Sequence, residues 1–251
     1  MNTTARIERP AELSPKSKAR LAGVLLLMAV LGGVATQGFI AGRLIIGGDG
    51  AATAHNISTH ERLYRLGFAI YLIEMACQIA ATVLLYDLLK PVSRSTSALA
   101  AAFGLIGCTV KTMARLFYLA PLLLLGGAHS LDAFEPMQLQ AAALLSLRLN
   151  YIVETIAMVF FGLFALLQGC LVFRSTFLPR ALGVLSAMGG LGWLIYLYEP
   201  LALRLQPGIV GLAVIGALAM VYWLVVKGVD EHRWREQAST SSSFHPLNSQ
   251  A

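Results

Sequence analysis

Six long apolar stretches, separated by short polar loops, restrict the fold of this chain more than any other feature of its sequence. A helix that spans a bilayer needs about 20 mainly apolar residues. Hydrocarbon offers no hydrogen-bond partners to the backbone, so a spanning segment must satisfy its own N–H and C=O groups, as an α-helix does. The sequence therefore predicts an all-α, polytopic transmembrane helix bundle of about six spans. The predicted spans are residues 19–42, 63–89, 98–125, 147–173, 180–198 and 208–226.

The composition agrees with this fold class. Charged residues make up 13% of the chain, whereas they make up about 25% of an ordinary soluble protein. Six spans and their turns use nearly the whole chain, so we expect one transmembrane bundle at 19–228. Residues 1–18 are expected to form a disordered cytoplasmic arm, and residues 229–251 a cytoplasmic tail that is mostly disordered. The net charge of +6 does not indicate a nucleic-acid partner, because the basic residues flank the spans.

Lysine and arginine are unevenly distributed between alternate loops. If the N-terminus is inside, twelve lie on the cytoplasmic side and five on the outer side. The positive-inside rule therefore predicts that both termini are cytoplasmic. The twelve are Arg6, Arg9, Lys16, Lys18, Arg20, Lys90, Arg94, Arg174, Arg180, Lys227, Arg233 and Arg235, and the five are Arg43, Arg62, Arg65, Arg148 and Arg204.

Four ionisable residues lie inside the apolar stretches. Glu74 is on the second span, Lys111 and Arg115 are on the third, and Glu154 is on the fourth. Each charge costs about 2.5 to 3.5 kcal/mol at a helix centre on an insertion scale. The rise of about 1.5 Å per residue places the acids and the bases at similar depths. We therefore expect an ion-paired network between three helices.

Polar neighbours extend this network along the same helix faces. Tyr118 follows Arg115 by three residues and Asn150 precedes Glu154 by four, which are the spacings of side chains that meet on a helix. One interpretation is structural, in which the network only fixes helix packing. The other is a polar pocket open to the outside that takes an anion or lipid head group, or transfers a proton. For this second interpretation the candidate substrate-binding residues are Glu74, Lys111, Arg115, Tyr118, Asn150 and Glu154, and the candidate catalytic acids are Glu74 and Glu154.

Three functions remain open at this stage. The first is a protein that binds or moves a small molecule or lipid through the polar pocket in the outer half of the bundle. The second is a membrane-embedded enzyme, such as a proton-initiated isoprenoid cyclase, in which an acid faces an apolar cavity. The third is a non-catalytic accessory subunit that packs on a membrane-protein partner or on a second copy. A cavity of roughly 300 to 1,000 Å³ favours the first two, and a carboxylate that faces a cation favours binding over catalysis.

No cofactor and no metal site is predicted. Cys77, Cys108 and Cys170 lie inside apolar stretches without a CxxC spacing. The loop residues include histidines and acids, among them His129 and Asp132, but no recognised metal-binding spacing. Solvated loop side chains explain these residues better than a divalent cation site.

Two glycines in the first span, Gly38 and Gly42, form a GxxxG pair. Such a pair allows a neighbouring helix to approach closely. We therefore expect this part of the first span to be a helix–helix contact.

Several fragments resemble a known family. They are GDGAATAHNI at 48–57, LYDLLKPVSR at 85–94, the long segment FFGLFALLQGCLVFRSTFLPRALGVLSAMGGLGWLIYLYEP at 160–200 and WLVVKGV at 223–229. Together they look like the bacterial membrane-protein family named domain of unknown function 4386, over about residues 15–235. The resemblance implies six or seven spans and a location in the bacterial cytoplasmic (inner) membrane, among membrane lipids. It implies no reaction.

Overall fold

The computed structural model describes residues 13–126 and 133–243, and in these ranges the chain is helical without strands. Six of its helices are long and apolar enough to cross a membrane, as the sequence predicts. The first of them contains a π-helical segment at Val34–Ala41, and the last ends in another at Trp223–Lys227. The helices are α1 (Pro15–Leu44), α2 (Gly50–Thr59), α3 (Glu61–Leu89), α4 (Arg94–Leu125), α5 (Pro136–Arg174), α6 (Arg180–Leu197), α7 (Glu199–Lys227) and α8 (Glu231–Ser243).

The six long helices form a ring in chain order. Each packs on the next, and α7 closes the ring against α1, where Gly23 lies against Leu224 and Val225. The helices alternate in direction, so the start of α1 meets the end of α3, and Lys18 Nζ lies 2.8 Å from Asp87 Oδ2. We call this end of the bundle the proximal end and the opposite one the distal end. A ring of six helices leaves a space between them that side chains from every span can line.

The closest helix packing is a glycine zipper between α5 and α6. Gly162 and Gly169 are seven residues apart on α5, and Gly183 and Gly190 are seven apart on α6. A Cβ atom added to Gly169 would lie 2.6 Å from backbone atoms of α6, and one added to Gly183 would lie 2.6 Å from the backbone of α5. Only glycine permits this separation, because the two backbones are in direct contact. Our sequence reasoning missed this zipper.

The predicted GxxxG contact in the first span is wrong for the described residues. A Cβ atom on Gly38 would meet nothing within 4 Å, and one on Gly42 would meet only the carbonyl of Gln37 in its own helix. The pair instead lies at the π-helical segment of α1. A single small-residue pair is weak evidence, since packing depends on which face meets a neighbour.

The predicted polar loop after the first span contains the helix α2. Asp49 caps it, because its side chain accepts a hydrogen bond of 2.9 Å from the N–H of Ala52. Thr53, Ala54 and Ile57 form its buried face, which packs on α5 and α4. The helix therefore covers part of the distal end of the bundle, an arrangement that depends on a narrow apolar face too short to stand out in the sequence.

Part of each end that the sequence predicts to be disordered is helical. Ser14 caps α1 at Pro15, so residues 15–18 of the predicted arm are helical. In the predicted tail, α8 is held at the proximal end because Trp234 Nε1 donates to the carbonyl of Leu88 at 2.9 Å and the Gln237 side chain accepts from the N–H of Thr176 at 3.1 Å. Tertiary contacts of Trp234 and Gln237 thus hold this helix on the bundle. Residues 1–12 and 244–251 lie outside the described residues.

Two spans begin nine or more residues earlier than hydropathy predicts. α5 starts at Pro136 instead of 147, after a capping box formed by Glu135 and Gln138. α7 starts at Glu199 instead of 208, with Pro200 in its first turn. Hydropathy detects only the part of a helix that lies in hydrocarbon, so polar helical extensions are left out.

Candidate functional site

The four ionisable residues of the spans meet in one buried network. Lys111 Nζ donates to Glu74 Oε1 at 2.7 Å and lies 3.8 Å from Glu154 Oε1. Arg115 donates to the same Glu154 oxygen at 2.7 Å and to Asn150 Oδ1 at 3.2 Å. Lys111 and Glu74 are 8% and 7% exposed, and Arg115 is 1% exposed. The pairing across α3, α4 and α5 is the one that the sequence predicts, and two positive and two negative side chains give no formal net charge.

The amphipathic character of α4 directs the two bases inward. Lys111, Arg115 and Tyr118 share one buried face, while Met113 and Leu116 on another face are more than half exposed. In a membrane the exposed apolar face suits the lipid, and the polar face must find partners inside the bundle. The network is therefore a direct consequence of this residue spacing.

An aromatic stack supports Arg115 from the distal side. The guanidinium carbon lies 3.7 Å from the ring centroid of Tyr71, which meets Tyr118 edge-on at 5.3 Å. Tyr118 in turn stacks on Tyr64 at 4.3 Å, and the Tyr64 hydroxyl donates to the backbone carbonyl of Tyr118. A cation over an aromatic face is attracted by the ring quadrupole. Tyr118, a predicted binding residue, thus contacts Tyr71, which in turn contacts Arg115.

Sequence reasoning missed one member of the network, Gln37 of α1. Its Nε2 donates to Glu154 Oε1 at 2.7 Å. Gln37 lies in the π-helical segment Val34–Ala41, and such segments often occur at functional sites. The available signal was an amide side chain within an apolar span, which a search restricted to ionisable residues overlooks.

Three neighbouring cavities lie beside the network, which contributes lining residues to each of them. The distal cavity, of about 490 Å³, is lined by Gln37, Tyr118, Asn150 and Glu154 among others. The central cavity, of about 520 Å³, shares Gln37 and Glu154 with it and adds Glu74, Lys111 and Trp193. The third, which we call the apolar cavity, has about 260 Å³ and shares Glu74, Lys111 and Trp193 with the central one.

The central cavity has contributions from all six spans. Its lining includes Ala29 of α1, Glu74 of α3, Lys111 of α4, Glu154 of α5, Trp193 of α6 and Val210 of α7. The apolar cavity extends toward the proximal end and has walls of Met75, Phe161, Phe164 and Met220. The site therefore combines a polar centre with a hydrophobic compartment.

Three buried polar atoms in and beside the network are left over within the described chain, namely the donor Arg115 Nε, the Tyr118 hydroxyl and the acceptor Glu74 Oε2. Glu74 Oε2 is buried and has no hydrogen-bond partner among the residues that the structure describes. A Cβ atom placed on the adjacent Gly33 would lie 3.9 Å from this oxygen. Buried polar atoms normally have partners, because an unpaired one loses its hydration without compensation.

The described residues contain no group of three or more His, Cys, Asp or Glu side chains that could hold a metal ion. Cys77, Cys108 and Cys170, all within the described ranges, form no disulfide. His129 and Asp132, considered above as loop residues, lie outside the described residues.

Comparison with known proteins identifies the family of this chain. The chain is 29% identical over 153 residues to an uncharacterized protein of Archaeoglobus fulgidus, and the match covers 60% of this chain and 76% of that protein. No solved structure matches the chain. The sequence model of the family described as a domain of unknown function, DUF4386, matches residues 21–228. Because this match spans most of the chain and agrees with the fragments identified above, the protein belongs to the DUF4386 family.

Proposed function

We propose that this protein binds or moves a small molecule or lipid through the central cavity. The observation that carries the proposal is the position of Glu74, Lys111 and Glu154, which line a cavity of about 520 Å³ between six helices. Small-molecule sites have volumes of about 300 to 1,000 Å³ and combine apolar walls with a few polar groups. An ion-paired core that only fixes helix packing needs no such space.

The pairing of the carboxylates favours binding over catalysis. An acid that protonates a hydrocarbon substrate must face an apolar cavity with its proton available. Here Glu74 and Glu154 each accept a hydrogen bond from a cation at 2.7 Å. The enzyme hypothesis is therefore the weaker one, and the cavity argues against a purely accessory subunit.

The charge pattern supports a location and an orientation. With the twelve basic residues of one side in the cytoplasm, the proximal end faces inward and the distal cavity faces outward. The network then lies in the outer half of the bundle. We place the protein in the cytoplasmic membrane of a bacterium, where a ligand would enter from the outer side or from the surrounding lipid.

The test is native mass spectrometry of the full chain, extracted gently from its own membrane, with identification of co-purifying lipids and metabolites. We expect a defined molecule in the wild-type protein that is lost in Lys111→Met. The matched control is Lys90→Met, since Lys90 also pairs with an acid, Asp87, but lies at the proximal end and is half exposed. If Lys111→Met does not fold, Gln37→Leu replaces it in the test. This variant removes a hydrogen-bond donor from the cavity wall without changing the charge of the network.

The outcome decides between the three hypotheses. A ligand that is lost in Lys111→Met or Gln37→Leu and retained in Lys90→Met supports the proposal. A protein that carries no small molecule, or one that carries the same lipid in all variants, overturns it. A stoichiometric protein partner in place of a small molecule would support the accessory subunit.

A further inference from the structure

The charge balance of the network restricts the kind of head group that the cavity can take. Both cations are already paired, Lys111 with Glu74 and Arg115 with Glu154. An anion would therefore add an uncompensated charge to a buried site, where charges without partners are costly. A cationic head group would also add a charge without a partner to this neutral network, and Lys111 faces it in the cavity. The site favours an uncharged head group.

The unused hydrogen-bonding capacity of Glu74 and Lys111 further restricts the kind of head group. Glu74 Oε2 is a buried acceptor without a partner in the described chain, so it needs a donor. The Lys111 ammonium has three N–H donors. One is used at 2.7 Å by Glu74 Oε1, and Glu154 Oε1 at 3.8 Å is beyond hydrogen-bond distance. A free donor and a free acceptor thus lie on one ion pair, and a hydroxyl group is the smallest group that satisfies both.

The apolar cavity determines the rest of the molecule. Glu74 and Lys111 form part of its wall, which also includes Gln78, Gln168 and Ser186. Most of the other lining residues are apolar, among them Met75, Phe161 and Phe164. At about 30 Å³ per heavy atom, the share of a molecule in liquid water, its volume of about 260 Å³ holds on the order of nine heavy atoms. A chain or ring system of this size gains by leaving water, since each buried CH₂ contributes about 0.8 kcal/mol.

We propose that the ligand is an uncharged, hydroxyl-bearing amphiphile, whose hydroxyl accepts from Lys111 Nζ and donates to Glu74 Oε2 while its apolar body fills the apolar cavity. This inference rests on the proposed function and names the class of its ligand. The same hydroxyl chemistry occurs in long-chain alcohols, phenols and sterols. Their sizes distinguish them, because only the first nine or so heavy atoms next to the hydroxyl fit the cavity as it stands.

The chain offers its own reporter of occupancy. Trp193 lines both the central and the apolar cavity, whereas Trp223 and Trp234 pack at the proximal end. Brominated amphiphiles quench tryptophan on contact. The probes are 8-bromooctanol, 8-bromooctanoate and 8-bromooctyl trimethylammonium, which share one chain length and differ in the charge of the head group.

The experiment titrates each probe into the full-length protein in phosphatidylcholine nanodiscs and subtracts the quenching measured with Trp193→Phe. We expect saturable quenching by the alcohol, with a Kd at least about tenfold lower than that of either charged probe. Tenfold is the factor in Kd that one hydrogen bond to a charged group typically contributes. Lys90→Met should behave as wild type. Glu74→Gln leaves one cation of the network in excess. It should therefore weaken binding of the alcohol and strengthen binding of the carboxylate.

The outcomes separate this inference from the function on which it rests. Tighter binding of a charged probe than of the alcohol, in a protein that still carries a Lys111-dependent ligand by native mass spectrometry, overturns the inference and leaves the proposed function in place. Quenching that is equal in wild type and Trp193→Phe for every probe, together with a protein that carries no ligand, overturns both. Unchanged specificity in Glu74→Gln also overturns the inference.

Discussion

Removal of Lys111 alone should destabilise the bundle more than removal of Lys111 together with Glu74. Lys111→Met leaves two buried carboxylates with only Arg115 as a counter-ion, so the network changes from neutral to a charge of −1. Glu74→Gln changes it to +1. The double variant Glu74→Gln/Lys111→Met restores neutrality and leaves the Arg115–Glu154 pair intact.

The expected magnitude follows from the geometry. At the 2.7 Å separation of Lys111 Nζ and Glu74 Oε1, an effective dielectric constant of about 20 gives an attraction of about 6 kcal/mol before the cost of desolvation. Measured losses for a buried pair broken on one side are about 3 to 5 kcal/mol, and replacement of both partners is often nearly neutral. We therefore expect each single variant to lose about 3 to 5 kcal/mol and the double variant to lose less than either.

The measurement is reversible unfolding in mixed micelles, with increasing SDS and helix content followed by circular dichroism, for wild type, both single variants and the double variant. The matched control is the same cycle on Arg65 and Glu61. That pair has the same 2.7 Å separation but is 60% and 51% exposed, and exposed pairs contribute about 1 kcal/mol or less.

The reasoning fails if the two single losses add up in the double variant, because additivity means that the side chains do not interact. It also fails if the coupling at Lys111–Glu74 equals that at Arg65–Glu61. Either result would mean that water reaches the network and screens it as it screens the surface.

Three further predictions concern other parts of the chain. Gly169→Ala should lower the free energy of unfolding by about 1 to 3 kcal/mol or more in the same assay, because its Cβ atom would lie 2.6 Å from the backbone of α6. The control is Gly211→Ala, whose Cβ atom meets nothing within 4 Å and which should stabilise the protein by about 0.5 to 1 kcal/mol. Equal effects of the two variants would contradict the zipper. Trp234→Phe removes the 2.9 Å hydrogen bond to α3 and should cost about 1 kcal/mol and speed proteolysis of α8, so an unchanged cleavage rate would contradict the docking of this helix. In a cysteine-free background, Arg62→Cys should react with an impermeant maleimide on intact cells and Arg235→Cys only after permeabilisation; the reverse pattern would invert the proposed orientation.

The membrane fold and the composition of the ionic network follow from the sequence alone. Hydrocarbon imposes a minimum helix length and forbids unpaired charges, so six apolar stretches and four charges inside them are sufficient evidence. The spacing of Lys111 and Arg115 on one face of α4 further predicts that they meet Glu74 and Glu154, which the observed distances confirm. These inferences are local or concern only depth in the bilayer.

Which helices approach closely, and where the bundle leaves space, were decided by the tertiary structure. Gly162, Gly169, Gly183 and Gly190 bring two backbones into contact, whereas the more familiar GxxxG pattern in α1 makes no such contact in the described chain. Gln37 is on α1 and Glu154 is on α5. Their side chains meet only because these two helices face each other across the ring. The cavities and the unpaired oxygen of Glu74 have no local signature, because they result from the mutual positions of six helices, and a linear pattern carries no information about the volume left between them.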